Sequence, residues 1–174
     1  MRESGVLLPI FSLPSPYGIG SLSREAYEFV DFLHRAGQGF WQILPVGPTG
    51  FGNSPYQPFS AFAGNPYFIS LGDLVEEGLL NRDEVNSVSF GSNPEMVDYG
   101  ALYEERAKVL KLAYGRFMEG GEQKEEFAAY CQKEKFWLED YALYMTLKEL
   151  HEGRSWLEWE EAYRLRKKAA LDED

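Results

Sequence analysis

Cysteine and positive charge are the scarce ingredients of this chain. Its 174 residues hold a single cysteine, Cys131, and 17 Lys and Arg against 28 Asp and Glu, a formal balance of −11. One cysteine excludes an internal disulfide framework, and without a CxxC pair or clustered His and Cys no structural metal is expected. Cys131 reads as a small apolar core residue. The acidic balance has the wrong sign for a general binder of nucleic acid or anionic membrane, both of which attract positive surface. A neutral or cationic substrate fits better. No apolar run approaches the roughly 20 residues of a membrane span, and the N-terminus lacks the pattern of a secretory signal. The expected setting is cytoplasmic.

What the chain has is unevenly spread. It is 44% hydrophobic, enough for a core in one globular domain. Residues 1–75 carry only eight charged groups yet eight of the nine prolines, whereas residues 76–174 carry 14 basic and 23 acidic groups. The composition shifts near residues 71–78. This contrast divides the chain into an irregular, ligand-shaping part, 1–75, and a mainly helical part, 76–174.

In the first part, "GVLLPIF" and "GFWQIL" read as buried strands. Between them Ser23 is placed to cap a helix, "REAYEFVDFLHRAG", in which Ala26, Phe29, Val30 and Leu33 recur at helical spacing and Gly37 supplies the stop. Strand, helix and strand within about 40 residues predict a parallel βαβ unit. In parallel α/β folds ligands bind at the carboxyl ends of the strands, where "SLPSPYGIG" and "GPTGFGNSPYQPFSAFAGNP" emerge. Two parallel strands do not make a covered sheet, so more units, or partner chains, are expected to complete it.

The second part predicts four helices: one stopped at Gly78, one capped by Asp98 over about 99–118, one over about 122–150, and one opened by a Ser155/Glu158 capping box. The third carries a stripe of Phe127, Tyr130, Cys131, Trp137, Leu138, Tyr141, Met145 and Lys148.

Residues 47–68, "GPTGFGNSPYQPFSAFAGNPYF", contain no charged side chain. Glycines allow close backbone approach and the four prolines restrict the free loop. Asn53, Ser54, Tyr56, Gln57 and Asn65 supply groups that donate and accept hydrogen bonds, while Phe51, Tyr56, Phe59 and Tyr67 supply flat apolar faces. A sugar ring presents the matching pair, C–H faces and a rim of hydroxyls. The competing reading is a structural loop folded over the core with its polar groups capping turns. "GPTGFG" is neither GxGxxG nor a P-loop, so nucleotide binding is disfavoured and no cofactor is implied.

The blocks "LPSPYGIG", "FWQILPVGPTGFGNSPYQPFSAFAGNPYFISL", "VDYGALY" and "FWLEDYALYMTLK" resemble the N-terminal portion of 4-alpha-glucanotransferases of glycoside hydrolase family 77, also called amylomaltases or disproportionating enzymes. The resemblance implies the start of a (β/α)8 TIM barrel with an inserted helical subdomain, an incomplete barrel in this chain. It implies transfer of α-1,4-glucan segments between maltooligosaccharides, with glucose among the acceptors. It also implies a retaining mechanism with an aspartate nucleophile, a glutamate acid/base and a third aspartate. All three carboxylates are expected beyond residue 174, which would leave this chain alone inactive.

Within the chain, Tyr56 resembles the ring that stacks on the donor sugar, and Ser54 a residue at the rim of that pocket. Gln57 and Asn65 belong to the same uncharged wall. Phe51 and Tyr103 resemble the pair that forms a second glucan-binding groove. Phe51, Asn53 and Ser70 depart from the commoner tyrosine, aspartate and aspartate at their positions.

Other candidates weigh less. Glu139 and Asp140 are helix neighbours about 100° apart and not a catalytic pair. His34 and Arg35 sit where a helix end favours cations. His151 lacks the second histidine of an HExxH metal site, and Trp156 and Trp159 read as core contacts before sugar stackers. Beside the glucanotransferase stand two alternatives, a non-catalytic glucan-binding fragment and a structural helical scaffold.

Overall fold

The computed structural model describes residues 2–50, 52–120 and 124–171. The chain forms two compact units, Met1–Lys124 and Glu125–Asp174.

In the first unit, β1 (Gly5–Leu7) and β2 (Phe40–Gln42) pair in parallel, with Val6 opposite Trp41, and α1 (Arg24–Arg35) connects them. The βαβ expectation therefore holds, but the strands are three residues each, because Ile10–Ser12 turns into a 3-10 helix after Pro9. They are also less covered than expected. Val6 and Trp41 are half-buried and Phe29 of α1 meets Trp41 edge-on at 5.0 Å, whereas Leu7 and Phe40, on the opposite face of the pleat, are exposed. One helix can cover only one face of a sheet.

Helix α1 ends in a Schellman turn: Gln38 N–H donates to Leu33 C=O and Gly37, at φ 68°, donates to His34 C=O. Ser23 occupies the N-cap position, but its hydroxyl donates to the Glu25 carboxylate, with Ser21 C=O farther off at 3.4 Å, instead of accepting from the helix. Helix α2 (Leu71–Glu76) is capped as a helix should be, with Ser70 Oγ accepting from Asp73 N–H at 3.1 Å, and Gly78 ends it.

An unforeseen short helix follows, α3 (Arg82–Asn86), whose N-cap Asn81 donates its N–H to Glu84 Oε2 at 2.9 Å. Asp98 caps α4 (Tyr99–Ala101) through Ala101 N–H; the chain then passes through a π-helical turn, Leu102–Arg106, into α5 (Ala107–Gly120). Ile19, Leu71, Leu80, Val85, Phe90, Leu102, Val109 and Ala113 share one core. The composition shift near residue 75 is thus not a boundary between packing units: α2 to α5 close over the same core as Ile19, and the chain divides at Lys124. A smaller cluster, Ile10, Leu13, Ala26 and Phe68, lies under Trp41 and Phe29.

The second unit is built on α6 (Lys124–Leu150). The stripe expected along it is half-buried from Cys131 to Lys148, but Phe127 and Tyr130 are exposed and Leu147 is its buried residue. The helix expected from Ser155 is instead three pieces: a 3-10 turn Trp156–Glu158, α7 (Glu161–Arg164) and α8 (Lys168–Leu171). Ser155 Oγ accepts from Leu157 N–H, while Glu158 N–H donates to Ser155 C=O, a turn contact in place of a capping box. Another Schellman turn, with Arg166 at φ 51° and Lys167 N–H donating to Ala162 C=O, stops α7.

Candidate functional site

Strand β2 feeds directly into the uncharged loop, which folds as an irregular hairpin. Its base is closed by Asn65 N–H donating to Val46 C=O at 2.8 Å, and Thr49 bridges Pro58 antiparallel halfway up. At the tip Asn53 N–H donates to Gly50 C=O and Gln57 N–H to Ser54 C=O, with Gly52 and Asn53 both at positive φ. Ser60 Oγ accepts from Phe62 and Ala63 N–H at 3.1 Å, and Asn65 Oδ1 accepts from Tyr67 N–H at 2.9 Å. The loop's own short polar side chains satisfy much of its backbone, which is how it stays ordered without ion pairs.

The expected site residues divide into three groups. Ser54, Tyr56 and Gln57 lie together at the hairpin tip, where Ser54 Oγ accepts from Tyr56 N–H at 3.4 Å and the Tyr56 ring stands 69% exposed. Asn65 is buried at the base with Oδ1 already engaged, so its first role is to cap the 3-10 turn Pro66–Phe68. Tyr103 projects from the π-helical turn, 74% exposed. Phe51 lies outside the described residues. A cavity of about 10 Å3 under the loop, lined by Phe11, Ile19, Thr49, Asn53, Asn65 and Tyr67, has room for about one water. The cavity is too small for anything of sugar-ring size, and only the outer face of this wall, where Tyr56 is, is open to a ligand that large.

Beneath Tyr103, Tyr67 and Tyr99 approach at 6.3 Å between ring centroids, and burial raises the pKa of both phenols, for Tyr67 with added repulsion from Tyr103 and Tyr99. Arg106 is buried on the same turn and donates from Nη2 to Ile69 C=O. Burial pushes its pKa down to about 10, against the pull of Tyr67. Sequence reasoning missed this residue, since one arginine in "LYEERAKVL" gives no sign of burial.

The second unit has its own aromatic groove, of about 300 Å3, lined by Leu143, Tyr144, Trp156, Trp159 and Tyr163 with the Asp140–Arg166 ion pair, 2.6 Å, at its edge. Trp159 is buried and stacks on His151 at 5.0 Å, in keeping with a core contact, whereas Trp156 is half exposed. His151 Nε2 meets Glu160 at 2.7 Å; that bond, with the one to Leu147 C=O, raises the histidine pKa. Glu139 pairs with Lys135 and Asp140 with Arg166, on the solvated side of α6. No cluster of three His, Cys, Asp or Glu able to hold a metal occurs among the described residues, nor does any helix there have the length and apolarity to cross a membrane.

A parallel βαβ unit that releases an uncharged, aromatic loop from its second strand places the chain among the parallel α/β proteins. Comparison with known proteins sharpens this: the 4-alpha-glucanotransferase family model matches residues 8–174. The chain belongs to the 4-alpha-glucanotransferase family, glycoside hydrolase family 77. It is 50% identical to a 4-alpha-glucanotransferase of Clostridium butyricum over 94% of this chain and 33% of that protein, and 48% identical to one of Thermus thermophilus over 99% and 34%. Among solved structures, the amylomaltase of Streptococcus agalactiae in complex with acarbose superposes with a TM-score of 0.93 at 43% identity, over 99% of this chain and 35% of that one. The chain spans about a third of the length of the curated relatives it matches.

Proposed function

We propose that this chain is the glucan-holding N-terminal part of a 4-alpha-glucanotransferase that moves α-1,4-glucan segments between maltooligosaccharides, with glucose as one acceptor. The observation that carries the reading is the exposed Tyr56 ring at the tip of a charge-free loop leaving the carboxyl end of β2. Tyr56 stacks on the sugar, Ser54 and Gln57 offer hydrogen bonds at its rim, and Asn65 holds the loop's shape. Tyr103, with Phe51, forms a second contact for a longer glucan.

In this reading β1 and β2 are the first two strands of a (β/α)8 barrel, and residues 76–174 are a helical insertion in chain order, although α2 to α5 pack with the strand segment. The exposed Leu7, Phe40, Ile43 and Val46 support further strands, since an apolar sheet face left in water is unfavourable. The retaining carboxylates lie on sequence outside these 174 residues; Glu139 and Asp140, each engaged with a cation, do not replace them. The chain alone is therefore expected to bind glucan without transferring it. A cytoplasmic setting, with glycogen or maltodextrin as the glucan source, goes with this function.

Two measurements test the reading. Calorimetry with maltoheptaose on the wild-type chain and on Tyr56→Ala is expected to show roughly three- to tenfold weaker binding in the variant, the scale of one lost ring contact, with unchanged melting. Equal affinities would remove Tyr56 from the site. Incubation with maltotriose is expected to give no glucose or longer maltodextrins from the 174-residue chain; their appearance would mean that catalytic carboxylates are present.

A further inference from the structure

Arg106 is the largest fully buried side chain among the described residues, at 1% exposure. Its Nη2 donates to Ile69 C=O at 2.5 Å, while Nε and Nη1 are buried with no hydrogen-bond partner among the described residues. Such a guanidinium is a poor choice for packing alone. One carbonyl contact does not offset the desolvation of a charge with two unpartnered nitrogens, and an aliphatic residue of similar volume would serve the core better.

What the arginine does, and an aliphatic residue could not, is tie two distant segments together. Ile69 follows the 3-10 turn that ends the downstream leg of the uncharged loop. The base of that leg is held by Asn65 N–H to Val46 C=O and by Leu22 N–H to Phe68 C=O; the bond from Arg106 to Ile69 C=O is a third anchor, reaching across 37 residues. On its own side, Arg106 closes the π-helical turn Leu102–Arg106, one turn after the exposed Tyr103. Single π turns inside α-helices recur at functional sites because they re-aim side chains.

We propose that Arg106 is a positioning residue: its guanidinium locks the downstream leg of loop 47–68 to the π-helical turn that carries Tyr103, fixing the two aromatic contacts for an α-glucan in register. This rests on the glucan reading above for the ligand, but not for the lock itself. Side chains that orient a binding surface need such buried support, and this bond fixes the base from which the hairpin rises.

The test uses Arg106→Met, which keeps the stem and removes every donor. The expected result is an unchanged or higher melting temperature together with amide exchange at Asn65 and Tyr67 faster by roughly tenfold or more, the scale of one hydrogen bond to a charged group. Maltoheptaose affinity falls with it, and Arg106→Lys, which keeps a charged donor group, slows the exchange again. Wild-type exchange at Asn65 and Tyr67 in the Met variant would overturn the proposal, as would a lower melting temperature with uniformly faster exchange across Met1–Lys124, the mark of a merely structural role. Should Arg106→Met fail to fold, Arg106→Gln, too short to reach Ile69, is read by the same outcomes. Wild-type protein that does not bind maltoheptaose would sink the glucan reading, while the exchange comparison still decides whether Arg106 is the lock.

Discussion

Within loop 47–68, order comes from the backbone and from short neutral side chains: Asn65 and Ser60 accept from nearby amides, Thr49 bridges Pro58, and prolines limit the free chain. Within Glu125–Asp174 it comes from charge and stacked rings. Arg166 pairs with Asp140, Lys167 with Glu161 and His151 with Glu160, around the stack of Trp159 on His151. The loop is irregular throughout, whereas the second unit joins the long helix α6 to short irregular pieces. The difference concerns what each surface can offer. A wall ordered by ion pairs would present fixed charges to a neutral sugar, and their desolvation would oppose binding; a wall ordered by its backbone leaves hydroxyl, amide and ring faces available.

This contrast can be broken at its foundations first. Leu102 is fully buried in the first unit's core, so Leu102→Ala is expected to cost about 2–5 kcal/mol. Urea titration followed by hydrogen exchange should show protection lost in Met1–Lys124 and kept in Glu125–Asp174. Loss of protection in both units alike would mean that they do not unfold separately.

A smaller effect is expected inside the loop. A Cβ added at Gly47 would lie 2.9 Å from Pro58 Cβ, so Gly47→Ala should destabilise by roughly 1–3 kcal/mol through overpacking. Thermal melting gives the cost, and binding of maltoheptaose should weaken with it. A neutral outcome would show that the hairpin's two legs are free to separate.

The pH response should separate the two regions by sign. In the first unit, a bidentate bond from Arg116, with a backbone bond from Asn81, holds the Glu84 carboxylate down to about 2. A carboxylate depressed in the folded state stabilises above its unfolded pKa of about 4.3, and that contribution disappears as pH falls through about 2. In the second unit His151 is raised by Glu160, so its contribution is complete below the unfolded value of about 6.5 and is lost as pH rises through the folded pKa. Glu160 is lowered by the same bond and weakens on the acid side. Melting across pH is expected to lose the acid step in Glu84→Gln and the step that begins above about pH 6.5 in His151→Phe.

Least is expected from the surface. Arg166→Ala removes an exposed ion pair with Asp140, and a change of about 0.2–1 kcal/mol is the usual scale. A larger loss would mean that the charged unit depends on its ion pairs more than on its ring stack.

Much of this could be read directly from residue patterns. The βαβ order, the Asp98 cap and the stops at Gly37 and Gly78 all follow from local rules that need only a few neighbouring residues. The break inside residues 155–171 could not be read that way. Its Schellman turn places an arginine, Arg166, in the left-handed region normally given to glycine, so no glycine marks the stop. Nor did composition reveal the packing boundary. The proline-rich strand segment and the charged helices after it differ in content, but the core that joins Ile19 to Leu71, Leu102 and Val109 is a matter of which apolar faces meet.

The uncharged loop shows the same division. Sequence alone determined that it is neutral, ring-bearing, stiffened by proline and attached to the end of a parallel strand, because those properties belong to residue types and their order. Only the tertiary structure decided that Tyr56 faces outward while Asn65 is committed to the loop's base, and that a buried arginine from a π-helical turn holds the downstream leg. Exposure and long-range hydrogen bonds arise between segments far apart in the chain, and no local rule encodes which of them will be neighbours.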